Sequence, residues 1–265
     1  MRGRSWAPAL LALAAGTAGA QAPAATDLRW SASAGAQHRR LVERTDDGRR
    51  LVEERGPMLR LGADATWGFG SGGALQAAAG VAAGTLDYQG QSQGGTPLAT
   101  ETGHRDLDFS LAWRPLAAAP WGEGWLLLRV EQQRRQIAST PIARGLRETS
   151  LLVLPGVRWS HAVEAAAWRW QPSLELRASV HHRLAVDFGG VFDDAVLQGG
   201  RRWEAALGLD VSSPASPWSF GLAWTHARQQ ASPQQTLSRG GVAAGTVRQP
   251  RIEIDDVLLR VRRAF

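Results

Sequence analysis

The sequence predicts an all-β protein, a transmembrane antiparallel up-and-down β-barrel of about ten strands. Three observations predict this fold. Apolar and polar residues alternate along most of the chain, turn-forming segments separate the alternating runs, and tryptophans recur at one end of these runs. Strict alternation is the pattern of a two-faced strand. A barrel with lipid on its outer face repeats that pattern on every strand.

The clearest alternating run is WRWQPSLELRASVHHRLAVDF. Its even-numbered residues are mainly apolar and its odd-numbered residues mainly polar. We predict one long strand here, with Leu184 and Val186 facing lipid and His181, Arg183 and Asp187 facing the lumen. The run exceeds the usual strand length of about 5–6 residues, so the strand would extend beyond the lipid.

Similar runs occur along the rest of the chain. They begin near residues 28, 58, 74, 104, 125, 150, 202 and 218, and a last run ends at Phe265. The connections alternate between short segments (GSGG, AAAPWGEG, VEAAA, SSPASP) and longer polar ones (GQSQGGTPLATETG, GGVFDDAVLQGG, SPQQTLSRGGVAAGTVRQP). Short turns on one side and long loops on the other are typical of transmembrane barrels. An even strand number places both termini on the side of the short turns.

The N-terminus has the features of a secretory signal. Arg2 and Arg4 precede an apolar run over residues 7–15, and Ala18-Gly19-Ala20 is a small-residue cleavage site. We predict a signal peptide over residues 1–20, cleavage near Ala20 and a barrel domain over residues 21–265. The predicted location is the outer membrane of a Gram-negative bacterium. The chain has no cysteine, so disulfides and thiolate metal sites are excluded.

Tryptophans mark one rim of the predicted barrel. Indole side chains favour the membrane interface, where they form aromatic girdles. The residues assigned to the girdle are Trp30, Trp67, Trp113, Trp125, Trp159, Trp168, Trp170 and Trp218.

The chain ends in VLLRVRRAF, which we interpret as the closing strand. Val257, Leu259, Val261 and Phe265 share one phase and would face lipid. This ending resembles the C-terminal signal by which outer-membrane proteins are recognised for insertion. Arg263 lies in the same series, where its long stem can reach headgroups. Because Ile252 and Ile254 are out of phase with the ending, we expect a bulge near Asp255–Asp256.

The predicted lumen face is strongly charged, and both signs interleave along it. Buried charges are costly unless they pair, so we expect an ion-pair network that fills the lumen; a narrow ion pathway is the alternative. The residues assigned to this network are Arg60, Asp64, Arg114, Arg129, Glu131, Arg158, Glu175, Arg177, Arg183, Arg202, Glu204 and Asp210.

Four residues are candidates for catalysis at the outer rim. Asp106 and Asp108 follow the second outer loop, and His181 and Asp187 precede the fourth outer loop, so converging carboxylates and a histidine could activate water. This layout resembles the omptin outer-membrane proteases, barrels of about ten strands with an acidic pair near the second outer loop and an Asp/His pair near the fourth. Asp106 and Asp108 match the acidic pair. The chain departs from the second pair, since it has no D-x-H there.

A second resemblance concerns one loop region. The segment TLDYQGQSQGGTPLATETGHRDL is similar to a segment of uncharacterised exported barrel proteins of proteobacteria. That resemblance implies membership of a small outer-membrane barrel family and carries no activity with it.

These observations favour a non-enzymatic outer-membrane barrel with a structural or surface-interaction role. A narrow channel for ions or small solutes and an omptin-like surface protease remain as alternatives. Expected partners are outer-membrane lipid, lipopolysaccharide and the outer-membrane assembly machinery. We expect no nucleic acid, because no binding motif accompanies the arginines. We expect no metal, because His181 and His182 point to opposite faces of a strand. We expect no cofactor either, since no glycine-rich loop lies in a strand-to-helix setting.

Overall fold

The computed structural model describes residues 28–69, 72–91, 96–116 and 118–265, whose regular elements are all β-strands. The strands are β1 (Leu28–Arg44), β2 (Arg50–Gly68), β3 (Ala74–Gln91), β4 (Pro97–Arg114), β5 (Glu123–Ile137), β6 (Leu146–Ser160), β7 (Val163–Ala165), β8 (Trp168–Ala178), β9 (His181–Asp187), β10 (Ala195–Gln198), β11 (Arg202–Ser212), β12 (Trp218–Gln229), β13 (Gln235–Arg239), β14 (Val242–Val247) and β15 (Arg251–Ala264). None of these described segments contains a helix that is long and apolar enough to cross a membrane. The predicted signal, residues 1–20, lies outside the described residues and stays a prediction.

The strands form a closed antiparallel barrel of ten staves, which confirms the predicted fold class. Each stave, here called a wall, is one strand or two consecutive strands in line. Strands β1 to β6 are the first six walls. The seventh wall is β8 with β9, the eighth is β10 with β11, the ninth is β12 and the tenth is β15. The barrel closes because β15 pairs with both β12 and β1. Outside the ten walls, β7 pairs with β8, and β13 and β14 form a separate hairpin.

The two ends of the barrel differ in their connections. Leu28 and Phe265 lie at one end, here called the terminal end, with the connections that follow β2, β4, β6 and β11. The opposite end, the loop end, carries the connections that follow β1, β3, β5, β9 and β12. The connection after β12 contains the β13–β14 hairpin. The two ends of the barrel domain therefore lie on one side, as predicted.

The long loop predicted between the third and fourth strands is much shorter in the structure. The segment GQSQGGTPLATETG is mostly strand, because β3 continues to Gln91 and β4 begins at Pro97. Strands β1 to β4 contain 17 to 19 residues each. A tilted strand needs only about 9–11 residues to cross a bilayer. These four walls are therefore longer than a membrane requires.

The outward face is divided into an apolar band and a charged region. On β4 the exposed outward residues from Trp113 to Leu107 are apolar, and the next outward residue is Arg105. The same change occurs around the barrel, since eight of the ten walls place an exposed arginine shortly beyond the band, toward the loop end. These eight residues, here called the basic collar, are Arg40, Arg55, Arg105, Arg134, Arg147, Arg183, Arg201 and Arg228.

Exposed aromatic side chains gather at the terminal edge of the band. Phe265 stacks on Trp30 with their ring centroids 4.4 Å apart, which joins the last wall to the first. Seven of the eight tryptophans assigned to the girdle are exposed in this region. They are Trp30, Trp67, Trp113, Trp159, Trp168, Trp170 and Trp218.

A bulge in the seventh wall changes which side chains of its second half point into the lumen and which point outward. Gly156 pairs with Arg177, whereas Val153 pairs with His181, so residues 178–180 lie opposite residues 154–155. Pro155 has no N–H to donate to the ladder at this point. Because side chains alternate along a strand, one extra residue moves every later side chain to the opposite face.

The closing strand, by contrast, is regular. Strand β15 pairs with β1 and β12 without any register shift, so the bulge predicted near Asp255–Asp256 is wrong. Ile252 and Ile254 point into the lumen at the loop end, where they form an apolar cluster with Leu41 and Ala227. The isoleucines need no change of register because Leu41 and Ala227 give them apolar contacts inside the barrel.

The lumen has two halves of different chemistry. In the terminal half, polar and charged side chains line a cavity of about 950 Å³, here called the vestibule, which reaches the connections of the terminal end. In the loop half, fully buried side chains fill the lumen. These residues, here called the plug, are Glu54, Met58, Leu86, Thr102, Leu152, Leu154, Leu184 and Leu197.

Candidate functional site

The vestibule contains most of the predicted charged network. Eleven of the twelve residues assigned to it line this cavity, and each of the eleven has an oppositely charged partner. They are Arg60, Asp64, Arg114, Arg129, Glu131, Arg158, Glu175, Arg177, Arg202, Glu204 and Asp210.

The acidic pair Asp106 and Asp108 lies inside the barrel and not at its rim. Arg39 donates from Nη1 to Asp106 at 2.7 Å, and Arg60 donates from Nη2 to Asp108 at 2.6 Å. Arg39 also contacts Asp256 through Nη2 at 2.8 Å. The side chain of Asp106 is buried. Both carboxylates are therefore neutralised by guanidinium groups, an arrangement that suits a structural network better than a general base.

Shared carboxylates connect the arginines of the opposite side. Glu204 lies 2.7 Å from Nη2 of Arg202 and 3.0 Å from Nε of Arg177. Arg177 in turn contacts Glu175 at 3.2 Å. All four groups line the vestibule, and only Glu175 is more than slightly exposed. A network with shared partners limits the cost of burying each charge.

Two ion pairs lie nearer the terminal mouth of the vestibule. Arg260 forms a two-pronged contact with Asp210, with Nη2 at 2.8 and 2.7 Å from the two carboxylate oxygens. Arg262 donates to Asp64 and to Ser31. Both arginines are about one-third exposed, so water screens these pairs more than those deeper in the lumen.

Trp125 faces the lumen, so its assignment to the outward girdle is wrong. Its side chain is 7% exposed and lines the vestibule. The guanidinium carbons of Arg114 and Arg158 lie 5.2 and 4.8 Å from the ring centroid. The signal was present in the sequence, because residue 125 has the same parity as Arg129 and Glu131, which were both assigned to the lumen.

Glu54 of the plug belongs to a second charged group, here called the Arg135 hub. Arg135 donates to Glu54 from Nε at 2.9 Å and from Nη2 at 2.6 Å, and its Nη1 donates to Glu43 and, at 3.0 Å, to Glu148. His104 contacts the other oxygen of Glu54 through Nε2 at 2.7 Å. Three carboxylates thus surround the Arg135 guanidinium, and one of them, the fully buried Glu54, also contacts the His104 imidazole.

Sequence reasoning missed this hub. The alternation on β2 and β5 places Glu54 and Arg135 on the inner face, but nothing in either strand shows that the two side chains meet. Only the pairing order β2–β3–β4–β5 brings them together across the lumen.

The second catalytic pair does not join the first. His181 and Arg183 are exposed on the outside of the barrel, because the bulge at residues 178–180 reverses their facing, so the assignment of Arg183 to the lumen is wrong. Asp187 is about 40% exposed and its nearest charged partner is Arg147, at 3.6 Å. Asp106 therefore lies inside the barrel, whereas His181 lies outside it. Within the described part of the chain, moreover, no cluster of three His, Asp or Glu residues is arranged to bind a metal ion.

The residues of the predicted insertion signal lie on the outward face of the closing strand. Val257, Leu259, Val261 and Phe265 are all exposed. The Arg263 guanidinium lies outside the barrel as well, over the rings of Trp218 at 5.5 Å and Phe265 at 5.0 Å. These cation–π contacts hold the arginine at the aromatic edge of the band.

Comparison with known proteins identifies the fold. No protein-family model matches the chain, and no curated protein matches it. Among solved structures, the outer-membrane protease OmpT of Escherichia coli is similar over 90% of this chain and 96% of its own, with a TM-score of 0.55 and 9% identity. The translocator domain of the autotransporter NalP from Neisseria meningitidis is similar over 91% of this chain and 90% of its own, with a TM-score of 0.52 and 13% identity. The chain therefore has the fold of small outer-membrane β-barrels.

Proposed function

We propose that this protein is an integral outer-membrane β-barrel with a closed lumen and a non-enzymatic, structural or surface-interaction role. The observation that carries the proposal is the order of the outward face: an aromatic edge, an apolar band and then the basic collar. On β4 the band runs from Trp113 to Leu107, and comparable runs lie on the other walls, close to what a tilted strand needs to cross a bilayer. The terminal end would face the periplasm.

The basic collar supports lipopolysaccharide as the surface partner. Arg105 and Arg134 are direct neighbours on β4 and β5. Like charges in that arrangement destabilise a sheet unless a counter-charge is present, and no carboxylate among the described residues forms an ion pair with either one. Phosphate groups in the outer leaflet would supply that charge. Arg40 and Arg55 are paired in the same way, but Glu53 contacts Arg40 at 2.9 Å.

The collar gives a matched test of this partner. We expect lipopolysaccharide to raise the unfolding temperature of the purified barrel, and the Arg105→Gln/Arg134→Gln double variant to lose most of that increase. Arg40→Gln should retain it, since Glu53 already neutralises that position. If lipopolysaccharide raised the unfolding temperature of all three proteins equally, the collar arginines would not be binding its phosphate groups.

The plug argues against a channel. Leu152, Leu154 and Leu184 are fully buried inside the loop half, and polar groups at the same level are tied into the Arg135 hub. We expect no discrete conductance steps from the purified protein in planar bilayers. Reproducible single-channel steps at neutral pH would favour the narrow-channel alternative.

The ion pairs argue against an omptin-like protease. Asp106 and Asp108 are held by Arg39 and Arg60, and His181 lies outside the barrel. We expect no cleavage of a peptide library by the protein in lipopolysaccharide micelles. Cleavage that disappears in Asp106→Ala or Asp108→Ala would restore the protease hypothesis.

Membrane location has a direct test of its own. A folded barrel should migrate differently from its boiled form on a gel, and the mature chain should fractionate with the outer membrane. The exposed Val257, Leu259, Val261 and Phe265 fit recognition by the assembly machinery. We therefore expect Phe265→Ser to reduce insertion. Recovery of the wild-type chain as soluble periplasmic protein would overturn the whole proposal.

A further inference from the structure

We propose that the vestibule contains a binding site for a carboxylate group, formed by Arg158 and Trp125 and entered from the terminal end. This inference concerns the inside of the barrel and goes beyond its role in the membrane. The two residues are direct neighbours on β5 and β6, and both line the cavity. The cavity volume of about 950 Å³ lies within the range of small-molecule sites, roughly 300–1,000 Å³.

The first argument is the charge of Arg158. Its nearest carboxylate is Glu175 at 3.8 Å, and Glu175 lies closer to Arg177, at 3.2 Å. Neighbouring arginines of the vestibule are paired more tightly, for example Arg114 with Glu123 at 2.8 Å. Arg158 instead donates from Nη2 to the side-chain oxygen of Gln76, a neutral group, at 2.8 Å. Arg158 is therefore a weakly neutralised cation in a partly enclosed space.

The second argument is an N–H group without an acceptor. The indole Nε1 of Trp125 is buried, and no hydrogen-bond acceptor for it occurs among the described residues. The Nε of Arg114, whose guanidinium carbon lies 5.2 Å from the indole centroid, also has no acceptor within that part of the chain. Buried donors without acceptors are costly, and the side chains of Trp125 and Arg114 both line a polar cavity. A ligand with acceptor oxygens would relieve that cost.

The geometry selects the chemical class of the ligand. Arg114 and Arg158 lie over the Trp125 ring, so an aromatic ligand has little room to stack there. A cation would be repelled by the same arginines. A carboxylate presents two acceptor oxygens in one plane, which suits the guanidinium fork of Arg158 and the indole N–H together. Because the plug fills the loop half, such a ligand would enter and leave at the terminal end.

The experiment titrates the full-length barrel in detergent micelles with succinate, followed by saturation-transfer difference NMR and calorimetry. Saturable binding is expected for the wild type. Arg158→Gln should weaken it about tenfold or more, because it removes a charge-assisted hydrogen bond. Trp125→Phe keeps a ring between the arginines and removes only the N–H, so it should weaken binding about threefold to tenfold.

Two comparisons make the result decisive. Arg105→Gln, in the collar, should bind succinate like the wild type, and heat-modifiable migration shows that each variant is folded. A variant that fails this gel test is set aside and the other decides. Equal affinity in the folded variants, or no saturable binding by the wild type, overturns the site. Saturable binding of inorganic phosphate but not of succinate overturns the carboxylate assignment. Either failure leaves the membrane proposal unaffected, because that proposal has its own gel and fractionation tests.

Discussion

The two halves of the lumen differ in how they accommodate charge. In the vestibule, ion pairs lie beside an open cavity, and several members, such as Arg260 and Arg262, are about one-third exposed. In the plug, one guanidinium, that of Arg135, holds three carboxylates among buried leucines. Water supports loosely paired charges, whereas a dry core requires that each charge have several close partners. We therefore expect the two halves to respond very differently to the loss of a single charge.

The largest effect is expected for Arg135→Ala. Removing the guanidinium leaves Glu43, Glu54 and Glu148 close together without their shared cation. Loss of one partner from a buried ion pair typically costs about 3–5 kcal/mol, so the urea midpoint for unfolding from micelles should fall strongly. The control is Arg134→Ala, one residue away on the outward face, where we expect a change within about 0.5 kcal/mol. Equal midpoints for the two variants would mean that the hub contributes no stability.

The next effect concerns the apolar part of the plug. Leu152 is fully buried, and Leu152→Ala should destabilise the barrel by about 2–5 kcal/mol through lost contacts and a cavity. The preceding residue, Leu151, points outward and is 38% exposed. Leu151→Ala should therefore cost less in the same urea titration. A larger loss at Leu151 would show that the loop half of the lumen is not the packed core.

A smaller effect is expected in the vestibule. Arg262 and Asp64 form an ion pair near the terminal mouth, with side chains 32% and 17% exposed. A double-mutant cycle with Arg262→Gln and Asp64→Asn should give a coupling free energy of about 0.2–1 kcal/mol, as for other solvated pairs. A coupling as large as the loss at Arg135 would contradict the difference between the two halves.

The smallest effect concerns a loop contact above the plug. Asp193 accepts hydrogen bonds from the N–H groups of Gly241 and Gly240, both at 2.9 Å, and ties the β13–β14 hairpin to the loop before β10. The Gly241 N–H, the Ser238 hydroxyl and the Gly240 N–H hold the pKa of Asp193 below its ordinary value.

A depressed carboxylate pKa gives this contact a defined pH dependence. The contribution of Asp193 is complete above the unfolded pKa of about 3.9 and is lost as pH falls through the lower folded value. We expect amide hydrogen exchange at Gly240 and Gly241 to stay slow at pH 5 and to accelerate, after correction for intrinsic rates, only below about pH 4. Asp193→Asn should exchange faster at pH 7. Equal exchange rates at Gly240 and Gly241 in both proteins would show that the Asp193 carboxylate does not hold the hairpin.

Alternation along each strand predicted most of the barrel. It identified the outward face of β15 from Val257 and Leu259. It also identified lumen residues such as Arg114 and Glu131, because in a barrel each face meets a different environment. Alternation also gives the correct face for Trp125, because its parity places it in the lumen. Its position at the start of a predicted strand, near one rim, was the weaker signal.

The features that alternation missed depend on contacts between distant segments. The reversed facing of His181 and Arg183 arises because three residues of one wall lie opposite two of the next, Leu154 and Pro155. The sequence of a single strand does not show in which register it pairs with its neighbour. In the same way, alternation alone does not show that inward side chains become apolar toward the loop end, where Ile252 and Ile254 pack with Leu41 and Ala227.

The regular pairing of β15 with β1 affects when the chain can finish folding. The hydrogen bond from Arg262 to Ser31 joins residues 231 positions apart, and every pair along this seam is similarly remote. Contacts of that kind form late and slowly. Until β15 arrives, the edges of β1 and β12 remain open to pairing with other chains. A chain truncated before β15 would therefore have nine walls and two exposed edges, and both edges could pair with other chains.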